Sequence, residues 1–156
     1  MEQDMTETGY NFCDNAPENF SFCFNKECTT ADKCLRALAA RDLTPKRRNI
    51  SIINPLQVNP EGGAACPFFR MAEKQRIAYG FQKAMNQVKH GEIRMVRARL
   101  IGLNSRRTFY YQLSGEKPIY PATQRRIIAI LAACGVPQPI EFDRYDYQYV
   151  WESYNI

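Results

Sequence analysis

The sequence predicts a mainly α-helical chain. A small cysteine-rich N-terminal region with a short strand leads into a four-helix, helix-turn-helix-like bundle, and an extended aromatic segment closes the chain. Three observations carry this expectation. Apolar residues recur at helical spacing from about Arg70 to Cys134, with glycine and proline as the punctuation. Four of the six cysteines, Cys23, Cys28, Cys34 and Cys66, lie in a stretch with few large aliphatic residues. The charge is also partitioned: residues 70–128 hold thirteen bases and three acids, while residues 1–34 hold seven acids and two bases.

The elements follow in order. Residues 1–20 are acidic and small, with little periodicity, and read as a loosely ordered tail. Residues 21–69 form the cysteine-rich module. Within it Thr30 or Asp32 is placed to cap a short helix over Cys34–Ala40 that ends before Pro45. Ile50-Ser51-Ile52-Ile53 reads as a short strand stopped by Asn54-Pro55, and Asn59-Pro60-Glu61-Gly62-Gly63 as a turn. Residues 70–139 form the basic helical domain. Its first predicted helix spans Arg70 to about Lys89, with Met71, Ala78, Phe81, Met85 and Val88 on one face, Arg76, Lys83 and Gln87 on another, and Gly91 as the C-cap. Three more helices are predicted: Glu92 to Ile101, Ser105 to about Ser114, and Pro121 to just before Gly135, the last with Ile127, Ile128, Leu131 and Cys134 as its apolar face. In residues 140–156, Tyr145, Tyr147, Tyr149 and Trp151 alternate with other residues at a period of two, as in an edge strand or an extended tail.

A net charge of +5 for the whole chain conceals the +10 of residues 70–128, the footprint of a polyanion binder. Residues 93–114 add a motif. Ala98, Gly102 and Leu103 resemble the first helix and turn of a bacterial helix-turn-helix, in which a small residue admits the second helix and a glycine makes the sharp turn. On the next helix Phe109 and Leu113 share a core-facing side. Arg107, Tyr110, Tyr111 and Ser114 fall on the other side, with Arg106 and Thr108 at the flanks. Arginine pairs with guanine edges, and Arg97, Arg99, Lys117, Arg125 and Arg126 suit phosphate contacts. Phe109 stands seven residues after Gly102, two more than that motif usually allows. The expected partner is nucleic acid, DNA ahead of RNA, with a homodimer or a protein partner open. The rival reading is a protein–protein adaptor that uses the aromatic C-terminal stripe and the basic helices.

Four thiolates satisfy a tetrahedral zinc ion or, as the second choice, an iron–sulfur cluster, with Cys13 as a substitute ligand. The spacings, Cys23-x4-Cys28-x5-Cys34 and then Cys66-Pro67, lack two-residue knuckles, so unmetallated thiols packed as small hydrophobes remain the other reading. Cys134 belongs to a helical core face. His90 is the single histidine, and no paired carboxylates or phosphate-cradling loop accompany it, so the sequence predicts a binding protein rather than an enzyme. The N-terminus lacks the basic and apolar regions of a signal peptide, and no apolar run reaches membrane-spanning length. The expected location is the cytoplasm, with no membrane partner.

Across most of residues 20–150 the chain resembles a family of small uncharacterised proteins from gut bacteria. The likeness rests on Cys-Phe-Asn-Lys-Glu-Cys at 23–28, Cys-Leu-Arg at 34–36, Ile-Asn-Pro at 53–55 and Cys-Pro-Phe-Phe at 66–69. It continues in Phe-Tyr-Tyr at 109–111, Ser-Gly-Glu-Lys at 114–117 and Phe-Asp-Arg-Tyr at 142–145. The resemblance implies that both halves belong to one unit, and it implies no activity.

Overall fold

Buried apolar side chains gather around separate centres, and the chain divides accordingly. The structure, a computed structural model, describes residues 9–58, 62 and 65–152. One unit takes the described residues up to Glu73 together with those from Tyr149. The other takes Lys74–Gln148. The boundary lies close to the expected one at residue 70. The aromatic tail, expected as a segment of its own, is shared out between the units.

The N-terminal unit is built from short elements: α1 (Phe12–Asn15), β1 (Ser21–Phe22), a 3-10 turn (Ala31–Lys33), α2 (Leu35–Arg41), β2 (Ser51–Ile52) and a second 3-10 turn (Pro55–Gln57). Residues 9–20 are not a loose tail. Asn11 caps α1 by accepting from the Asp14 amide at 2.7 Å, and Cys13, Ala16 and Phe20 are buried with Phe22, Leu35 and Ala39. Neither Thr30 nor Asp32 caps α2. Cys34 occupies the N-cap with no side-chain bond, and Asp32 instead pairs with Arg41. The strand expected at residues 50–53 is present as β2, paired in parallel with β1 through Ser21↔Ser51 and Phe22↔Ile52. Of the turn expected at residues 59–63 only Gly62 is described, with φ +67°, and the rest lies outside the described residues.

Arginines hold this loop-rich unit together. Arg47 donates to the carbonyls of Cys13 (3.0 Å), Pro17 (3.3 Å) and Ala16, which closes the end of α1. Arg36 donates to Phe68 O (2.8 Å) and Ser21 O (2.6 Å), and its guanidinium lies 4.5 Å from the centre of the Phe20 ring. Planar five-donor forks suit scattered carbonyls that no helix or sheet ladder satisfies.

In the second unit the predicted Arg70–Lys89 helix is replaced. Lys74–Tyr79 is a strand, β3, Gly80 follows at φ +73°, and a single turn of helix, α3, covers Gln82–Met85. Ala78, Phe81, Met85 and Val88 are buried as the spacing requires, but Met71, assigned to the same face, is 51% exposed. The pattern was right about four of the five side chains placed inside and wrong about the backbone. β3 pairs with β4 (Arg144–Tyr149), a partner far along the sequence that no local window registers. Gly91 is not a C-cap either, because it lies in the 3-10 turn His90–Glu92 that leads into the next helix.

The remaining helices fall close to expectation: α4 (Ile93–Ile101), α5 (Arg106–Ser114) and α6 (Pro121–Ala133). Ser105 caps α5 by accepting from Thr108 N at 3.1 Å, Gly115 ends it at φ +87°, and Pro121 opens α6. The architecture is therefore three full helices and one helical turn on a two-stranded sheet rather than a four-helix bundle. Ala78 and Ile119 exchange backbone hydrogen bonds of 3.1 and 2.8 Å, which fastens the α5–α6 connection to β3. Phe81, Val96, Leu100, Phe109, Leu113, Ile119, Ile127, Leu131 and Phe142 fill the core. Asp143 locks the corner: its amide donates to Gly80 O (2.9 Å), and its carboxylate accepts from Gln82 N (2.8 Å) and Lys83 N (3.1 Å).

Candidate functional site

The basic residues of the second unit lie on the outside of its helices because the apolar residues between them face the core. On α4, Val96 and Leu100 are buried, and Arg94, Arg97 and Arg99 are exposed. On α5, Phe109 (3% exposed) and Leu113 (7%) point inward, leaving Arg106, Arg107, Tyr110 and Ser114 outside. On α6, Arg125 and Arg126 are exposed beside buried Ile127. None of Arg94, Arg97, Arg106, Arg107, Arg125 and Arg126 forms an ion pair among the described residues, where both ion pairs lie in the N-terminal unit.

Helix polarity sharpens this. The first turns of α4, α5 and α6 contain no acidic residue, and α5 opens on Arg106 and Arg107. A helix N-terminus already carries about half a positive charge, so two arginines there weaken the helix and build a strongly positive end. Arg107 and Lys117 lie 5.5 and 5.4 Å from the centre of the half-buried Tyr111 ring, which gathers two cations at one aromatic side chain.

Several expected contacts are placed differently. Ser114 Oγ lies 3.2 Å from Tyr111 O and 3.0 Å from Glu116 Oε1, either of which can accept its one proton, so its hydroxyl is engaged locally. Arg99 Nη1 lies 3.8 Å from Cys134 Sγ at the end of α6. Tyr111 is half-buried, while Tyr110 is 44% exposed. Ala98 is exposed and Gly102 is right-handed (φ −61°), so the pair α4–α5 lacks both features on which the likeness to a helix-turn-helix rested. Arg94, exposed in the first turn of α4, was missed by sequence reasoning, although its offset from Val96 and Leu100 marks it as outward-facing. Of the aromatic stripe, Tyr145 packs on the second unit's core with Arg76 3.7 Å from its ring centre. Tyr149 and Trp151 pack into the N-terminal unit against Phe12 and Phe20, and only Tyr147 is exposed, at 62%.

The cysteines form the second feature. Cys23, Cys28, Cys34 and Cys66 line one cavity of about 20 Å³ with Thr30, Arg36, Gly62 and Phe68. All are free thiols. Cys13, the expected substitute, lies instead in the α1 core, and Cys134 is core as expected. As they stand, no three of the described His, Cys, Asp and Glu side chains are arranged to hold a metal ion. Burial and the neighbouring Arg70 push the Arg36 guanidinium below its ordinary value, against the opposing influence of Cys34, Cys23 and Cys66. Arg36 was not singled out in the sequence, where nothing distinguishes it from a surface arginine.

These features define a small protein with a cysteine-lined cavity in one unit and a strongly basic helical surface in the other. The chain belongs to DUF6078, a family of unknown function, whose sequence model matches residues 1–151. No curated protein and no solved structure matches it. Among the described residues no helix is long and apolar enough to cross a membrane.

Proposed function

We propose that this protein binds nucleic acid, duplex DNA in preference, through the basic helices of its second unit. The observation that carries the reading is the opening of α5 on Arg106 and Arg107 at a positive helix end, with no acid in the first turn to offset it. Such an end attracts phosphate, and Arg94, Arg97, Arg125 and Arg126 supply further exposed charge without protein partners among the described residues. Tyr110 beside them offers a ring for stacking or a hydroxyl for phosphate. The reading does not depend on helix-turn-helix geometry, and it gives the chain a binding role rather than a catalytic one.

The test is fluorescence anisotropy of labelled duplex DNA, single-stranded DNA and RNA with the full chain at several salt concentrations. With about four to six phosphates contacted, log K should fall with log salt at a slope of about −4 to −5 on duplex. RNA bound more tightly than duplex would keep the surface and change the ligand. Absence of salt-sensitive binding to all three would overturn the proposal and turn attention to an acidic protein partner.

A further inference from the structure

We propose that Cys23, Cys28, Cys34 and Cys66 together hold one zinc ion as a structural site in the N-terminal unit. Three observations converge on this. The four thiols come from three separate stretches of chain, yet they line a single small cavity. Cys34 is fixed at the head of α2, while Cys23, Cys28 and Cys66 sit outside helices and strands, where thiols can turn inward. Because no three of these side chains already surround a common point, binding requires that inward turn. A cavity of about 20 Å³ is large enough for a single small ion among the four thiols.

The charge around the cavity is unbalanced in the sense that a metal thiolate corrects. Among the described residues Arg36 donates its hydrogen bonds to the carbonyls of Phe68 and Ser21, and the Arg70 Nε is buried with no hydrogen-bond partner. Among the described residues no carboxylate lines the cavity. Zinc bound by four thiolates carries a net charge of −2, which two guanidiniums offset, and a thiolate sulfur can accept from a nearby N–H. The unit also needs a staple. Its strands β1 and β2 are two residues long, and among the described residues Leu35 is its only fully buried large aliphatic side chain. A core this small gains folding energy directly from a structural ion.

Binding releases the four thiol protons to solvent, so affinity should rise with pH. The experiment is a titration of the reduced, chelator-treated full chain with Co²⁺ under anaerobic conditions, followed by displacement with Zn²⁺. The expected result is one Co²⁺ per chain with the intense visible bands of a tetrahedral thiolate site, quenched by an equivalent of Zn²⁺. Cys28→Ser and Cys66→Ser should each weaken binding at least about 10-fold, whereas Cys134→Ala, in the other unit, leaves it unchanged. Zn²⁺ should also raise the urea midpoint reported by Trp151, which packs in the unit that holds the site. If a serine variant fails to fold, the wild-type titration still decides the matter. The proposal is overturned if the wild-type chain shows no tetrahedral thiolate spectrum, or if both variants bind as tightly as it does. The outcome is independent of nucleic-acid binding, which is read on the other unit.

Discussion

Replacing Phe109 by alanine removes a ring that is 3% exposed and lies 6.0 Å, centre to centre, from Phe81 in an edge-on arrangement. A buried phenylalanine side chain withdraws about 150–200 Å² from water, worth about 4–5 kcal/mol at 25 cal/mol/Å². Measured large-to-small core changes of this kind cost about 3–5 kcal/mol. For a unit of this size, whose total stability should lie toward the lower end of about 5–15 kcal/mol, most of the folding free energy would be lost. Phe109→Leu, which keeps much of the volume, should cost only about 1–2 kcal/mol and serves as the graded control. The assay is urea unfolding followed by far-UV circular dichroism, whose helical signal comes mainly from α4, α5 and α6. Trp151, the single tryptophan, reports the other unit separately. A loss below about 1 kcal/mol for Phe109→Ala, with an unchanged denaturant slope, would refute the inward orientation of α5 and with it the outward orientation of Arg106 and Arg107.

Four further outcomes follow. Asp143→Ala should destabilise the second unit by about 0.5–2 kcal/mol in the same urea assay, because it strips the amides of Gln82 and Lys83 of their acceptor. Gly80→Ala should cost about 1–3 kcal/mol, since φ is +73° and the added Cβ would come within 2.7 Å of the Asp143 carboxylate; a neutral result would reject that corner. Hydrogen bonds from Lys46 and then Thr44 hold the Asp14 carboxyl below the ordinary aspartate value, and the same partnership raises Lys46. The carboxylate's contribution is therefore present above the ordinary aspartate range and fades as pH falls through its lowered value. The ammonium's contribution is present below the ordinary lysine range and fades as pH rises through its raised value. NMR titration should show the Asp14 midpoint return upward in Lys46→Ala and in high salt, because the pair is solvent-exposed. Last, Arg107→Ala should reduce discrimination between a preferred duplex and random duplex by about 1–3 kcal/mol, whereas Arg125→Ala should weaken both alike and shallow the salt slope by about one. Equal effects of the two substitutions would place Arg107 among the phosphate contacts.

The three full helices of the second unit were legible because each carries its own boundary chemistry. Ser105, Gly115 and Pro121 act through the backbone of their immediate neighbours, so a window of a few residues contains the whole cause. The outward arginines Arg97, Arg107 and Arg126 were legible for a related reason: once Val96, Phe109 and Ile127 must face inward, the helical period sends them outward. The Arg70–Lys89 segment failed because spacings of three, four and seven also describe a strand that turns sharply at Gly80 into one helical turn. The choice between the two was made by β4, more than sixty residues away, and by the Asp143 carboxylate.

What the sequence by itself determined was the sorting of side chains between inside and outside on α4, α5 and α6, the helix ends that carry their own caps, and the concentration of positive charge in residues 70–128. These are local or compositional, and burial or charge acts on them whatever the topology. Tertiary structure alone decided that β3 is a strand and that Tyr149 and Trp151 pack half-buried against a core rather than forming a free stripe. It also decided that Arg36 and Arg47 serve as internal ties and that Cys66 meets Cys23, Cys28 and Cys34 at one cavity. Each of these depends on a partner distant in sequence, and the free energy of such a pairing appears only once the chain has brought the two ends together.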